Sequence, residues 1–410
     1  MKKKIAVVDF LFNWPPDGGA RTDIKEIMAR LNEDFIVKLF VPEMDYGFTR
    51  GKNSETLELD VVKIKSDPID FNCITFTKKL KKEINEFKPD LIFFGDGWFM
   101  KPAVISEFQT YKYIIRFYAY EGLCLRQHGV FFKNNKLCEK NYLEGDFINW
   151  LECSFCAIEW LVKTRAKVFI QEYFGSLAFL PSYKNKVVES FSNASAIICY
   201  NDFIKQKLMA LNKNTHIVPS GINLQSFNYS SNKLEVLKTK KTINLLMVGR
   251  ASDPAKGYQI LYDAYKILIK KYSNITLTVT AEPWFDVKDK NIKIVNWVTQ
   301  EKLPELYKTA DICIIPSIWP EPFGIVTLEA MASGIPAIVS DSVGPSSVIK
   351  NNITGLIYEK LNSRDLADKI EIYINDNERY NSIKKNAYND VANYSWDKVY
   401  KKIYDLINQF

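Results

Sequence analysis

Short apolar runs alternate with amphipathic stretches along most of this 410-residue chain, and this alternation restricts its possible folds more than any other feature. The runs at 5–10, 91–94 and 196–200 have the length and apolar character of strands that are buried on both faces. Residues 76–87 repeat apolar side chains at every third or fourth place, which is typical of an amphipathic helix. Strands that alternate with helices predict βαβ units and parallel sheets.

The same alternation restarts after residue 240, so the chain reads as two halves. At roughly 100–200 residues per domain, the length fits two Rossmann-like α/β domains with a cleft between them. Residues 218–222 and the polar stretch after them predict a linker, which places the domains at 1–222 and 223–394. Residues 395–410 have the pattern of a C-terminal helix that could pack back on the N-terminal domain or dock on the other one.

The composition excludes several classes of protein. Hydrophobic residues make up 47% and charged residues 25% of the chain, which excludes disorder as its main state. Lys and Arg exceed Asp and Glu by 55 − 48 = +7, and the excess is spread over both halves, unlike in a dedicated nucleic-acid binder. With only His128 and His216, a metal site of several histidines is excluded. Because the sequence shows no signal peptide and no long uncharged apolar run, we expect a reducing cytoplasmic location.

Two glycine-containing loops follow predicted strands and could approach an anion. Gly18 and Gly19 lie between the first strand and the first helix, where the free N–H groups of a helix start can bind phosphate. In the second half, Gly249 and Arg250 end a strand and Lys256 follows six residues later, so that two cations could clamp a diphosphate. A simple strand–helix turn and two solvated surface cations would explain the same residues.

The most informative motif pairs two glutamates eight residues apart. Glu321 lies in a loop after the run at 312–316, and Glu329 falls inside a helix that we predict to begin near Gly324. The first N–H groups of this helix could bind phosphate oxygens, while Glu329 could accept hydrogen bonds from ribose hydroxyls and Glu321 from sugar hydroxyls. An ordinary amphipathic helix would not explain the prolines and glycines that surround both residues.

With these motifs, the chain resembles the GT-B retaining glycosyltransferases of glycosyltransferase family 4. The resemblance is carried by the pair Gly18-Gly19, by Gly249-Arg250 with Lys256-Gly257, and by Glu321 to Glu329 in its Glu-Pro-Phe-Gly setting. It covers nearly the whole chain and is most specific in residues 243–357.

The resemblance implies a GT-B fold and a hexosyltransferase reaction. A sugar would pass, with retention of configuration, from a nucleotide-diphosphate donor to a glycan or lipid-linked acceptor in cell-surface polysaccharide synthesis, without a cofactor in catalysis. The catalytic set would be Glu321, Arg250 and Lys256, of which the two cations would neutralise the departing diphosphate. The implied donor-binding residues are Gly18, Gly19, Tyr118, Gly249, Phe323, Gly324, Ile325, Val326 and Glu329.

Three positions depart from the pattern of the family. Tyr118 stands where the family often has a His, so its hydroxyl would have to substitute for the imidazole, or the donor would differ. Ser347 stands where the family usually has a Glu. The linker reads Pro-Ser-Gly at 219–221 instead of Pro-Asn-Gly.

Residues 119–160 break the alternation and read as an insertion, or as a long loop with its own short helices. The segment resembles a Cys-rich insert of some family members and contains Cys124, Cys138, Cys153 and Cys156. Four thiolates could form a tetrahedral structural zinc site that takes no part in the chemistry. Free thiols buried in a loop are the alternative.

The predicted partners are the nucleotide sugar, the acceptor and the inner face of the plasma membrane, whereas nucleic acid is not among them. The membrane contact could involve Lys78, Lys79, Lys81 and Lys82, although a solvated helix face explains these lysines as well. Two other functions stay open. One is a GT-B-type epimerase or hydrolase, for which acid/base residues are scarce, and the other is a non-catalytic nucleotide-sugar-binding protein.

The zinc prediction is tested by metal analysis of the purified chain. If the four cysteines bind zinc, the protein should contain about one zinc ion per chain, and replacement of Cys153 by Ser should lower that content. A preparation that binds no zinc even after incubation with the metal would remove the site.

Overall fold

The computed structural model describes residues 2–16, 18–52, 58–126, 132–133, 136–138, 140–227, 236–287, 289–296 and 298–410. The chain divides into two compact units. The first unit comprises Met1–Pro219 with Tyr400–Phe410, and the second comprises Ser220–Val399. These limits differ by a few residues from the predicted 1–222, 223–394 and 395–410, and most of the C-terminal helix is assigned to the first unit.

In the described part of the first unit, the elements in chain order are β1 (Lys4–Val8), α1 (Gly19–Asp34), β2 (Ile36–Tyr46), β3 (Phe48–Arg50), β4 (Val61–Lys65), α2 (Thr75–Phe87), β5 (Leu91–Phe94), α3 (Met100–Ile105), β6 (Tyr113–Arg116), β7 (Phe132–Lys133), β8 (Lys136–Leu137), α4 (Phe147–Thr164), α5 (Lys167–Gly175), α6 (Ser182–Ser192), β9 (Ala196–Cys199), α7 (Asp202–Met209) and β10 (Thr215–Ile217).

The first unit is built on one sheet whose strands run in the order β10-β9-β6-β5-β1-β2-β3, with β4 also paired to β2. All of these pairs are parallel except that of β2 with β3. The central strands β5, β6 and β9 are buried at every position, which explains why their sequences are apolar without alternation, except for the buried Arg116 at the end of β6.

In the described part of the second unit, the elements are β11 (Ile243–Met247), α8 (Tyr258–Leu268), β12 (Ile275–Thr280), β13 (Ile292–Val295), α9 (Leu303–Lys308), β14 (Ile312–Ile315), α10 (Ile325–Ala332), β15 (Ala337–Ser340), α11 (Pro345–Val348), β16 (Gly355–Tyr358), α12 (Ser363–Asn375), α13 (Asn377–Val391) and the first residues of α14 (Trp396–Ile407).

The second unit contains a parallel sheet in the order β13-β12-β11-β14-β15-β16. The chain moves outward in one direction from β11 to β13 and then returns to continue from β14 on the other side of β11. This is the strand order of a Rossmann fold, in which ligands bind at the carboxyl ends of the two strands where the order reverses. The predicted α/β class with parallel sheets is confirmed.

The insertion at 119–160 differs from its prediction of short helices. It contains the antiparallel pair β7–β8, and the 18-residue helix α4 begins within it and continues to Thr164. Among the described residues, we find no helix with the length and apolar character needed to span a membrane.

The turn before α8 depends on the absence of a side chain at Gly257. Its φ is +76°, and a Cβ atom built on it would lie 1.9 Å from the carbonyl oxygen of Pro316, at the end of β14. The backbones after β11 and β14 therefore approach each other too closely at Gly257 and Pro316 to leave space for a Cβ atom. This contact is completed by a hydrogen bond of 2.9 Å from Ile318 N to Ala255 O.

We expect Gly257→Ala to lower the free energy of unfolding by about 3 kcal/mol, because the new methyl group collides with backbone and the left-handed conformation disfavours it. Gly18→Ala is the matched control, since a Cβ atom at Gly18 meets no heavy atom within 4 Å. Denaturant unfolding should separate the two variants. Equal stability of both would contradict the close contact at Pro316.

Candidate functional site

The loops that follow β11 and β14 lie at the same edge of the second sheet, because these two strands are hydrogen-bonded neighbours. The first loop contains Gly249, Arg250 and Lys256, and the second contains Glu321. The strand-order reversal thus places the three predicted catalytic residues on adjacent loops at one edge.

The carboxylate of Glu321 connects the two loops. Its Oε1 accepts a hydrogen bond of 2.8 Å from Nζ of Lys256 and another from the hydroxyl of Ser317. Glu321 is buried, whereas the Lys256 side chain is 27% exposed. Lys256 is therefore held in place by a buried anion while part of its ammonium side chain still faces solvent, where it can meet a second anion.

A glycine on the neighbouring loop fixes the backbone of Glu321. Gly344 precedes α11 with φ +99°, and a Cβ atom on it would lie 2.3 Å from the carbonyl oxygen of Glu321. Ser342 donates a hydrogen bond of 2.8 Å to the carbonyl of Ser317. Ser342 and Gly344 thus both contact the backbone of the loop that contains Glu321.

Arg250 differs from Lys256 in that it is exposed. The backbone before it is fixed, because the Thr280 hydroxyl at the end of β12 contacts Gly249 N at 2.6 Å and Gly249 O at 2.7 Å. A Cβ atom at Gly249 would find open space. An exposed guanidinium beside a glycine with open space around it can form a bidentate contact with an incoming phosphate.

The helix predicted near Gly324 is confirmed as α10, with Gly324 at its N-cap. Phe323 is buried, and Ile325 and Val326 in the first turn are half-buried. The first N–H groups of an α-helix have no acceptor within the helix, and those of Ile325 and Val326 are among them. The predicted contact of these groups with phosphate is therefore stereochemically available.

Glu329 lies in the interior of α10 and is 4% exposed. Its Oε2 accepts a hydrogen bond of 2.9 Å from the hydroxyl of Tyr307 at the end of α9. Burial raises the pKa of Glu329 to about 7, and the Tyr307 hydrogen bond opposes this shift. A carboxyl group with such a pKa changes its protonation state near neutral pH.

In the first unit, Gly18 is the N-cap of α1 and Gly19 is the first residue of that helix. Arg21, two residues later, donates hydrogen bonds of 2.6 Å to Asp96 and 3.1 Å to the Leu11 carbonyl. Burial raises the pKa of Asp96 to about 7; Arg21 opposes the shift, and the nearby Asp9 adds to it.

Tyr118 belongs to a buried network in the first unit. Its hydroxyl donates a hydrogen bond of 3.0 Å to Asp23 on α1, which also binds Arg116 through contacts of 3.1 and 3.2 Å. Burial and the Asp23 carboxylate raise the pKa of Tyr118 well above its usual value, so the phenol keeps its proton. Whether Tyr118 contacts the donor stays a prediction.

None of the four cysteines predicted to bind zinc forms a disulfide, and Cys153 and Cys156 lie on α4. Burial raises the pKa of Cys153 to about 11, with further contributions from Cys138 and Cys156. Within the described ranges, no group of three or more His, Cys, Asp and Glu side chains could hold a metal ion. The described placement therefore does not form the site, and zinc binding stays a prediction.

Several residues around these sites escaped the sequence analysis. In the second unit, these residues hydrogen-bond to predicted site residues: Ser317, Tyr307 and Thr280. In the first unit, buried hydrogen bonds near Tyr118 and Gly19 involve Asp23, Arg21 and Asp96. Ser317 does have a sequence signal, because it directly follows the predicted strand at 312–316, and ligands of a parallel sheet bind at the carboxyl ends of its strands. Tyr307 has none.

Comparison with known proteins places these geometries in a family context. Residues 228–390 match the family model described as glycosyl transferases group 1. The chain is similar to sucrose-phosphate synthase from Thermosynechococcus elongatus, with a TM-score of 0.69, 18% identity and coverage of 100% of this chain and 99% of that one. It is also similar to HepE of Anabaena in complex with UDP-glucose, with a TM-score of 0.66, 16% identity and full coverage of both chains. These likenesses identify the fold as GT-B.

A curated relative extends the comparison to a named reaction. The UDP-Gal:alpha-D-GlcNAc-diphosphoundecaprenol alpha-1,3-galactosyltransferase of Escherichia coli is 28% identical over 46% of this chain and 53% of that protein. The chain spans about half the length of the first curated relatives it matches.

The raised pKa of Glu329 predicts a pH dependence of stability. The folded protein holds the Glu329 proton more tightly than the unfolded chain does. The protonated side chain therefore contributes to the free energy of unfolding fully below pH 4.5, and this contribution is lost as the pH rises through 7. Glu329→Gln keeps an acceptor for Tyr307 but cannot ionise. As the pH rises from 4.5 to 8, we expect the free energy of unfolding of this variant to increase by about 3 kcal/mol relative to that of the wild type. Parallel unfolding free energies across this range would contradict the assignment.

Proposed function

We propose that this chain transfers a hexose from a nucleotide-diphosphate donor to a glycan or lipid-linked acceptor. Its fold is GT-B, and its residues 228–390 match the model of the glycosyl transferases group 1 family. The observation that carries this proposal is the Lys256–Glu321 pair at the strand-order reversal, with the exposed Arg250 on the same loop as Lys256. Retention of anomeric configuration belongs to the proposal through the resemblance to glycosyltransferase family 4.

The central chemical task is to stabilise the negative charge that grows on the departing diphosphate. Arg250 would approach the diphosphate with two parallel N–H groups, and Lys256 would approach it as a point charge. The Glu321 carboxylate holds Lys256 before the donor arrives, so little reorganisation is needed during the reaction. This electrostatic mechanism requires no metal at the diphosphate.

The remaining donor contacts would come from α10. The free N–H groups of Ile325 and Val326 would bind phosphate oxygens with the help of the helix dipole. Glu329 would bind the ribose: Tyr307 occupies Oε2, so Oε1 would be the acceptor for a ribose hydroxyl. Glu321 and the backbone at Phe323 would contact the sugar.

The acceptor class is supported by the relatives. The Escherichia coli relative is named for a diphosphoundecaprenol-linked substrate, and HepE was crystallised with UDP-glucose. We extend these classes to this chain as a UDP-sugar donor and a lipid-linked glycan acceptor. A cytoplasmic protein that touches the inner face of the plasma membrane would reach both substrates.

The donor site is tested with UDP and UDP-glucose. A ligand that binds the native state alone should raise the melting temperature of the wild-type chain. Arg250→Ala and Lys256→Ala should each weaken UDP binding about tenfold in calorimetry, since each removes one charged contact. Each should also lower sugar transfer to lipid-linked acceptors on the order of 100-fold, because the lost charge is most valuable in the transition state.

The matched control is Lys266→Ala, which removes a lysine whose 2.8 Å partner is Asp263 on the surface of α8. It should leave UDP binding and transfer unchanged. Full transfer activity in the double variant Arg250→Ala with Lys256→Ala would overturn the mechanism. If the wild-type chain shows no turnover and the variants lose only their affinity for UDP, the result would instead favour a non-catalytic binding protein.

A further inference from the structure

The helix α4 exposes a continuous apolar stripe. It is 18 residues long, or about 27 Å at 1.5 Å per residue. Ile148, Phe155, Ile158 and Val162 are 65%, 68%, 44% and 66% exposed, and Leu151 between them is half-buried. Their spacing of three, four, three and four residues places all five side chains on one face of the helix.

The opposite face of α4 already serves the core of the first unit. Trp150, Ala157, Trp160 and Leu161 are buried, and the ring of Trp160 lies 5.0 Å from that of Phe169 on α5. The side chains of the exposed stripe therefore do not pack in this core. Single exposed apolar residues are common on protein surfaces, but an aligned set on one helix indicates an interaction surface.

The charges around the stripe indicate which partner fits it. Lys163, Arg165 and Lys167 are all exposed at the C-terminal end of α4, whereas Glu144 and Asp146 stand at its N-terminal end. Lys163 is bonded to Glu159 at 2.6 Å. A surface that combines an apolar layer with phosphate anions would satisfy the stripe and the cationic end together.

A second copy of this chain fits the stripe less well. If two α4 stripes paired in antiparallel orientation, Glu152 and Glu159, which flank the stripe on one side, would face the same residues of the partner. Each of these glutamates has a lysine partner within its own chain, Lys140 and Lys163. Such an interface would therefore place glutamate opposite glutamate along one side of the stripe.

We propose that the exposed face of α4 is the surface through which this protein docks on an anionic lipid bilayer. The helix would lie in the plane of the interface, with its apolar stripe at the acyl boundary and its C-terminal end at the headgroup phosphates. This inference deepens the proposed function and rests on it for the lipid-linked acceptor.

The location differs from the α2 lysines considered in the sequence analysis. Lys79 is bonded to Asp70 at 2.8 Å, and Lys81 lies 3.5 Å from Glu107. The two α2 lysines that are exposed, Lys78 and Lys82, provide a matched charge control.

The apolar stripe is tested by flotation of the full chain with vesicles of phosphatidylcholine and phosphatidylglycerol. Phe155→Ser with Val162→Ser should weaken binding on the order of tenfold or more, because two side chains lose apolar burial. Ile69→Ser with Ile353→Ser is the control, since these residues are 83% and 53% exposed elsewhere. Equal binding of both double variants and wild type would overturn the proposal, as would failure of the wild type to bind.

The cationic end is tested by Arg165→Glu with Lys167→Glu, against Lys78→Glu with Lys82→Glu. The first pair should weaken binding to the anionic vesicles and reduce its dependence on salt, whereas the second should bind like wild type. Loss of binding in the α2 pair alone would overturn the assignment. So would a wild-type dimer in solution that the Phe155 and Val162 replacements convert to monomers.

The UDP-induced shift in melting temperature is measured on every variant. A preserved UDP shift together with lost vesicle binding supports the docking surface and shows that the variants are folded. Absence of the UDP shift in the wild type would count against the proposed function and leave the vesicle result to be judged by itself.

Discussion

The bond between Glu321 and Lys256 is the interaction on which the candidate donor site depends. The buried carboxylate is held by Ser317 and by the close approach of Gly344 to its backbone. If the carboxylate were removed, Lys256 would lose its acceptor, and of the two polar connections between the loops only the backbone hydrogen bond from Ile318 N to Ala255 O would stay. The same contact therefore stabilises the edge of the sheet and orients the cation that we assign to the diphosphate.

Several buried charges in the described part of the first unit are paired with side chains from distant segments. Arg116 binds Asp23 and the carbonyl of Val218, while Lys101 binds Glu121 at 2.8 Å. These pairs join α1, α3 and the segment after β6. Tyr118 is part of this arrangement as a hydrogen-bond donor to Asp23. Because its phenol keeps the proton, it cannot reproduce both the neutral and the charged state of an imidazole.

Much of the fold was predictable, because buried parallel strands leave a direct signal in the sequence. The run at 91–94 coincides with β5, and the run at 196–200 coincides with β9 except for its last residue. The start of α10 was predictable from Gly324. The exposed face of α4 was not, since apolar residues lie on two faces of this helix and the sequence does not indicate which of them the rest of the protein will cover.

The sequence by itself determined the α/β class, the positions of the strands and the spacing of Arg250, Lys256, Glu321 and Glu329, since these follow from local periodicity and motif order. Only the tertiary structure decided which side chains meet. Asp23 and Arg116 are 93 residues apart, and Lys256 and Glu321 are 65 apart. Such pairs depend on strand order and register, and these are fixed by the packing of the whole sheet rather than by any segment of the chain.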